Sequence, residues 1–182
     1  TGTAAEDSIV GTALNDTLSG VAGDDTLIGL DGADIIDGGA GADLISGGAG
    51  SDDLTGGLGS DTFTGTLAQF DGDAIADFQE GDVIEVTDVA LTPAALTVSE
   101  AGGITTVAID SNGDGVANAS FQLTGSYEAG SITVGGDGNI HYVPPVSITG
   151  TAAEDSIVGT ALNDTLSGVA GDDTVIGLGG TC

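Results

Sequence analysis

From Gly2 to Thr64 the chain repeats itself every nine residues: GTAAEDSIV, GTALNDTLS, GVAGDDTLI, GLDGADIID, GGAGADLIS, GGAGSDDLT and GGLGSDTFT. The sixth place is always aspartate (Asp7, Asp16, Asp25, Asp34, Asp43, Asp52, Asp61), and the eighth is always apolar (Ile9, Leu18, Leu27, Ile36, Ile45, Leu54, Phe63). A flexible Gly-rich linker does not hold two positions in phase through seven lines, so the period specifies a folded repeat. Glycines at the first, second and fourth places suit a tight turn, and the last three residues suit a short strand with its middle side chain pointing one way. If two lines complete one coil, residues 18 apart stack at about 4.8 Å, and the eighth residues of facing strands meet inside. Few aromatics are available, four Phe, two Tyr and no Trp, so that thin interior is the core.

The same stacking lines up carboxylates: Asp7, Asp25, Asp43 and Asp61 on one edge, Asp16, Asp34 and Asp52 on the other. Unit charges about 4.8 Å apart repel by roughly 1 kcal/mol even in water, and by more near a protein surface. Nothing in the chain neutralises them, since 29 Asp and Glu stand against no Lys or Arg, a net charge of -29. That charge excludes nucleic acid and anionic lipid as partners. It does not mark disorder, because 40% of the residues are hydrophobic and disorder also requires low hydrophobicity. The coil therefore needs cations from outside. Carboxylates and turn carbonyls without Cys or His form a hard oxygen set, which selects calcium over zinc or copper. The single cysteine, Cys182, offers no internal disulfide. There is no apolar run long enough for a membrane span, and TGTAAEDSIV reads as no export signal.

These lines match GGxGxDxUx, and residues 2 to 64 resemble the β-roll of the RTX (repeats-in-toxin) family. The resemblance implies an all-β fold: a calcium-loaded parallel β-roll (right-handed β-helix), several calcium ions, and side-chain oxygens from Asp25, Asp34, Asp43, Asp52 and Asp61. It implies main-chain ligands among Gly29, Asp31, Gly32, Ala33, Gly38, Gly39, Ala40, Gly41, Ala42, Gly47, Ala49, Gly50 and Ser51. Asp7 and Asp16 are candidate ligands too, but Thr3 and Thr12 replace the second glycine and Ala5 and Leu14 the fourth, so their sites are expected to be looser or incomplete. RTX proteins typically leave Gram-negative bacteria unfolded by type I secretion, with the signal at the far C-terminus, which accounts for the missing N-terminal one. Extracellular calcium then closes the coil. At calcium ten times a dissociation constant of about 10⁻⁴ M, each site adds roughly 1.4 kcal/mol.

Beyond Thr64 the phase is lost. DAIADFQEGDVIEV, residues 73 to 86, alternates around the turn QEGD and resembles the segment that follows the roll in serralysin-type proteins. It implies a cap that seals the apolar end with Phe78; Asp77 and Asp82 are further candidate ligands. Residues 104 to 125 read as two strands around DSNGDG, where Asp110, Asn112, Asp114 and Gly115 match half of an EF-hand loop while its twelfth position is Phe121 instead of Glu. Either a metal or a plain Asn/Gly-rich turn fits there. Residues 131 to 143 read as a hairpin around GGDG, and Pro144 and Pro145 end it. The lone His141 reads as a packing or surface residue.

Residues 149 to 174 then repeat residues 1 to 26 without a change, returning Asp155, Asp164 and Asp173 to the sixth place. The expected domains are a roll over 1–64, a small antiparallel β cap over 65–143, a Pro-containing linker over 144–148 and the start of a second roll over 149–182. Cys182 falls where the fourth line has Asp34, so either the copy diverges or the end is artificial. No HExxH or GxSxG motif is present, which reads as no enzyme. Tandem units suit a calcium-dependent structural segment of a bacterial surface protein, an adhesin, S-layer subunit or fibre, with self-association or neighbouring repeats as partners. The alternative is the noncatalytic tail of a type I-secreted hydrolase or toxin.

Overall fold

Each nonapeptide line supplies one strand: β1 (Ser8–Val10), β2 (Thr17–Ser19), β3 (Thr26–Asp31), β4 (Ile35–Ala40), β5 (Leu44–Ala49), β6 (Asp53–Leu58) and β7 (Thr62–Gly65). A computed structural model describes residues 1–128, 130–160 and 162–178; the expectation attached to Cys182 lies outside them. The strands alternate between two parallel sheets, each pairing with the strand two lines away: Ile9↔Leu27, Leu27↔Ile45 and Ile45↔Phe63 in one, Leu18↔Ile36 and Ile36↔Leu54 in the other. Two lines therefore make one coil. The eighth-place side chains Leu27, Ile36, Ile45, Leu54 and Phe63 are buried between the sheets, while their seventh-place neighbours Ile35 and Leu44 face out. Each fully buried aliphatic side chain of this kind contributes about 1.5–3 kcal/mol.

The coil does not stop where the nine-residue phase does. β8 (Ala74–Ile75) pairs parallel with β6, Leu54 to Ile75, and β9 (Val83–Val86) pairs parallel with β7, Phe63 to Ile84. The offset between stacked residues grows from 18 to 21 as the chain passes through 66–72. Antiparallel pairing begins later than the sequence suggested. β12 (Ala119–Thr124) joins β8 in parallel, and β11 (Ile104–Ile109) and β10 (Leu96–Ala101) follow it antiparallel. On the other sheet, β14 (Ile140–Tyr142) adds antiparallel to β9, with β13 (Ile132–Val134) beyond it. Phe78 is buried with its ring edge-on to Phe63, the centroids 6.5 Å apart. The Tyr127 hydroxyl donates to the Phe78 carbonyl at 2.6 Å, and burial pushes that phenol up to about 12.

The chain divides into two compact units, Thr1–Tyr127 with Thr133–Tyr142, and Glu128–Ile132 with Val143–Cys182. In the second unit β15 (Ser147–Thr149) pairs parallel with β17 (Thr165–Ser167), and β16 (Ser156–Val158) with β18 (Thr174–Ile176). Ile157 and Leu162 are buried there. Among the described residues, no helix is long and apolar enough to cross a membrane.

Candidate metal centre

The two oxygens of each sixth-place aspartate do different things. Oδ1 accepts the backbone N–H of the aspartate one coil earlier: Asp7 to Asp25 at 2.7 Å, Asp25 to Asp43 at 2.8 Å, Asp16 to Asp34 at 2.8 Å and Asp34 to Asp52 at 2.8 Å. The ladder runs on beyond the repeats, because Asp52 donates to Asp73 at 2.9 Å and Asp61 to Asp82 at 3.0 Å. Asp73 was hidden by the change of phase; its only signal is that Asp73 and Ile75 keep the spacing of the sixth and eighth places. Fifth-place residues also bridge coils, Ala33 donating to Asn15 Oδ1 and Ala42 to Asp24 Oδ1.

Oδ2 of Asp25, Asp34, Asp43, Asp52 and Asp61 is buried and has no hydrogen-bond partner. A buried carboxylate oxygen left unpaired costs several kcal/mol, so it calls for an external partner. The surroundings show which kind. A Cβ on Gly20 would run into Asp25 Oδ2 and the Gly38 carbonyl together; one on Gly29 would meet Asp34 Oδ2 and the Gly47 carbonyl, and one on Gly38 would meet Asp43 Oδ2 and the Gly56 carbonyl. Carboxylate and carbonyl oxygens from successive coils thus converge on one side of each turn. Among the described residues no three His, Cys, Asp or Glu side chains gather, so a cation here would draw on main-chain oxygens. An all-oxygen set suits a hard cation with irregular, high coordination, and these residues fit calcium. Other main-chain groups from the predicted set have ladder roles: the carbonyls of Ala40 and Ala49 accept the N–H of Gly23 and Gly32 at 2.8 and 2.9 Å.

The turn backbone has a strict requirement at the second place, where φ is +107° at Gly39, +105° at Gly48 and +103° at Gly57. Val21 and Leu30 hold the same place at +88° and +86°, a conformation that side-chain-bearing residues rarely adopt. Thr3 and Thr12 stay outside that region and make a different turn. Thr3 donates from its N–H and its hydroxyl to Asp7 Oδ2 at 2.6 and 2.9 Å, and Thr12 does the same to Asp16 Oδ2 at 2.6 and 2.8 Å. Thr151 repeats this at Asp155 Oδ2, 2.6 and 3.0 Å, and the N–H and hydroxyl of Thr160 repeat it at Asp164 Oδ2. Asp173 Oδ1 accepts the Asp155 N–H at 3.1 Å.

The electrostatics follow burial. Loss of water raises the Asp43, Asp52 and Asp82 carboxyls, that of Asp61 to about 6 and that of Asp73 to about 7, against the lowering effect of the N–H groups they accept. Asp164 goes the other way, held below the usual range by the Val146 N–H. Asp77 spends both oxygens on the N–H groups of Gly56 and Gly57, at 2.9 and 2.7 Å, and Asp82 Oδ2 accepts from Gln79 N–H at 2.9 Å. Asp110, Asn112 and Asp114 are brought together in one turn, but their oxygens face their own backbone. Asp110 takes Gly113 and Gly115 N–H at 2.7 and 2.8 Å, Asn112 takes Asp114 N–H at 3.1 Å, and Asp114 takes Val116 N–H at 2.8 Å. His141 Nε2 lies 2.9 Å from Asp137 Oδ2 on the surface.

Comparison with known proteins agrees with this geometry. The family model of the RTX calcium-binding nonapeptide repeat matches four times, over residues 1–36, 10–45, 28–63 and 149–181. Among solved structures, the AlgE6R2 subunit of the Azotobacter vinelandii mannuronan C5-epimerase is 29% identical, with a TM-score of 0.50, over 65% of this chain and 84% of that one. The AlgE6R3 subunit of the same enzyme is 26% identical over 68% of this chain and 73% of its own, with a TM-score of 0.30. No curated protein sequence matches. The nonapeptide phase, the two parallel sheets and the four family matches lead to one assignment: the chain belongs to the RTX family of calcium-binding nonapeptide-repeat proteins.

Proposed function

We propose that this chain is a calcium-dependent structural segment of a secreted or cell-surface bacterial protein, whose roll closes when it meets calcium outside the cell. One observation carries the reading: five buried aspartate oxygens, Oδ2 of Asp25, Asp34, Asp43, Asp52 and Asp61, lack a partner. In this reading those oxygens hold calcium together with turn carbonyls such as Gly38, Gly47 and Gly56. The segment over 65–143 serves as a cap, with Phe78 against Phe63, and the chain's own contribution is mechanical rather than catalytic. The verbatim return of the first 26 residues at 149–174 supports a tandem surface protein, since repeating units add length and contacts. A second reading, the noncatalytic part of a secreted enzyme, is favoured by the likeness to a subunit of an epimerase.

Calorimetric titration and far-ultraviolet circular dichroism test the common core of both readings. Calcium should bind at several sites and raise the β signal, chelator should reverse it, and magnesium should restore it poorly because of its smaller octahedral, water-retaining shell. A spectrum indifferent to chelator would overturn the proposal. Negative-stain imaging separates the two readings: calcium-dependent, chelator-reversible filaments or sheets support the surface role, and a monomer in millimolar calcium supports the enzyme part.

A further inference from the structure

We propose that the four threonine-bearing lines, those of Asp7, Asp16, Asp155 and Asp164, take no calcium, because a threonine N–H and hydroxyl fill the position that the cation fills elsewhere. The inference rests on the calcium reading for the lines of Asp25, Asp34, Asp43, Asp52 and Asp61. In these five lines, whose second place is Val21, Leu30 or glycine, Oδ2 is buried and unpartnered at Asp25, Asp34, Asp43, Asp52 and Asp61. In the threonine lines the equivalent oxygen receives two donors from one residue, Thr3 on Asp7, Thr12 on Asp16, Thr151 on Asp155 and Thr160 on Asp164. Two donor hydrogens aimed at an oxygen carry positive charge into the space a cation would need, so one excludes the other.

The backbone enforces the choice. Where the second place has φ above +80°, its N–H turns away from the aspartate; Val21 N–H goes instead to the Gly38 carbonyl at 3.1 Å. Thr3 and Thr12 stay outside that conformation, which the β-branched Val21 adopts only at a cost in strain, and their N–H groups remain on the carboxylate. The threonine turns are therefore complete without metal, and they occupy a useful position. The N–H of Asp7 grips Asp25 Oδ1 at 2.7 Å and that of Asp16 grips Asp34 Oδ1 at 2.8 Å. Two metal-free turns thus present the first two calcium-requiring carboxylates in position, giving loading a fixed end from which to start.

The test counts calcium per molecule by equilibrium dialysis on the full chain. The quadruple variant Asp7→Asn, Asp16→Asn, Asp155→Asn, Asp164→Asn should bind as many ions as the parent, whereas Asp43→Asn should lose at least one. Loss of ions from a folded quadruple variant overturns the inference. If that variant does not fold, the single variant Asp7→Asn, at the exposed start of the chain, decides: it should bind as many ions as the parent, and loss of an ion overturns the inference. A parent chain that binds no calcium would sink the calcium reading instead, whereas a calcium-binding parent with ion loss from either variant would overturn this inference alone.

Discussion

Residues 1–26 and 149–174 have the same sequence, and they bury opposite ends of it. In the first copy Leu14 is 73% exposed, Ile9 is half-buried, and burial becomes complete only at Leu27 in the third line, beneath Ile45. In the second copy Ile157 and Leu162 are buried, Leu162 at 5% exposure beside Gly130, whereas the third-line Val175 is 46% exposed. The turn chemistry is nevertheless shared, with the same threonine N–H and hydroxyl on the same aspartate oxygen in both. Nine residues suffice to write a turn, but burial comes from whatever stacks on it. That is the behaviour of a repeat whose stability sits in the interfaces between neighbours.

The sharpest way to separate the copies is at their third aspartate. Asp25 is buried with an unpartnered Oδ2, while its counterpart Asp173 is half-exposed. Asp25→Ala removes a charged hydrogen-bond acceptor and, on the proposed calcium reading, one ligand, which together are worth about 2–4 kcal/mol in calcium. Asp173→Ala should cost under about 1 kcal/mol, the scale of a solvated charge. Chemical denaturation in calcium, read by amide exchange in each unit, measures both. Equal losses would mean that the two copies load calcium alike.

Leucine gives a contrast of similar size without any metal. Leu162→Ala empties a buried site and should cost about 2–5 kcal/mol, while Leu14→Ala, at a surface, should stay within about 0.5 kcal/mol. This difference was not legible in the sequence, because the two leucines share every neighbour from 1–26 and 149–174. The coil itself was legible: aspartate in the sixth place and an apolar residue in the eighth fix the 18-residue register that pairs Leu27 with Ile45 and Ile36 with Leu54. The continuation through β8 and β9 was not, since a longer passage at 66–72 breaks the phase and conceals Asp73. Nor did the substitution of Thr3 for glycine reveal by itself that the hydroxyl would close on Asp7; that requires the turn in three dimensions.

Proton linkage should differ in sign between the units once calcium is chelated. In the first unit burial raises Asp61 to about 6 and Asp73 to about 7 from 3.8. The folded state then binds protons more tightly than the unfolded one, so stability falls as pH rises from about 4 to 7 and returns on acidification. In the second unit the lowered Asp164 contributes stability above about pH 4 that is lost as pH falls through its native value. Amide exchange in chelator between pH 7 and pH 5 should show the first unit slowing, after correction for intrinsic rates, and the second nearly unchanged. A first unit that loses protection on acidification would contradict the burial of its carboxylates.

The smallest effect tests the backbone rather than the side chains. Val21 holds φ at +88°, whereas Val169, the same residue of the same repeated sequence, stays outside the left-handed region. A β-branched residue at positive φ carries about 1–2 kcal/mol of strain that glycine does not. Glycine gives back about 0.5–1 kcal/mol through the greater freedom of the unfolded chain. Val21→Gly should therefore stabilise the first unit by up to about 1 kcal/mol, and Leu30→Gly, at +86°, by a similar amount. Val169→Gly relieves nothing and should destabilise the second unit by about 0.5–1 kcal/mol. Both valines are largely exposed, 47% and 63%, so lost packing does not reverse either sign. Denaturation midpoints in calcium, compared with the parent, decide the matter. A destabilising Val21→Gly would mean that the third line does not hold the open glycine-type turn that its unpartnered Asp25 oxygen requires.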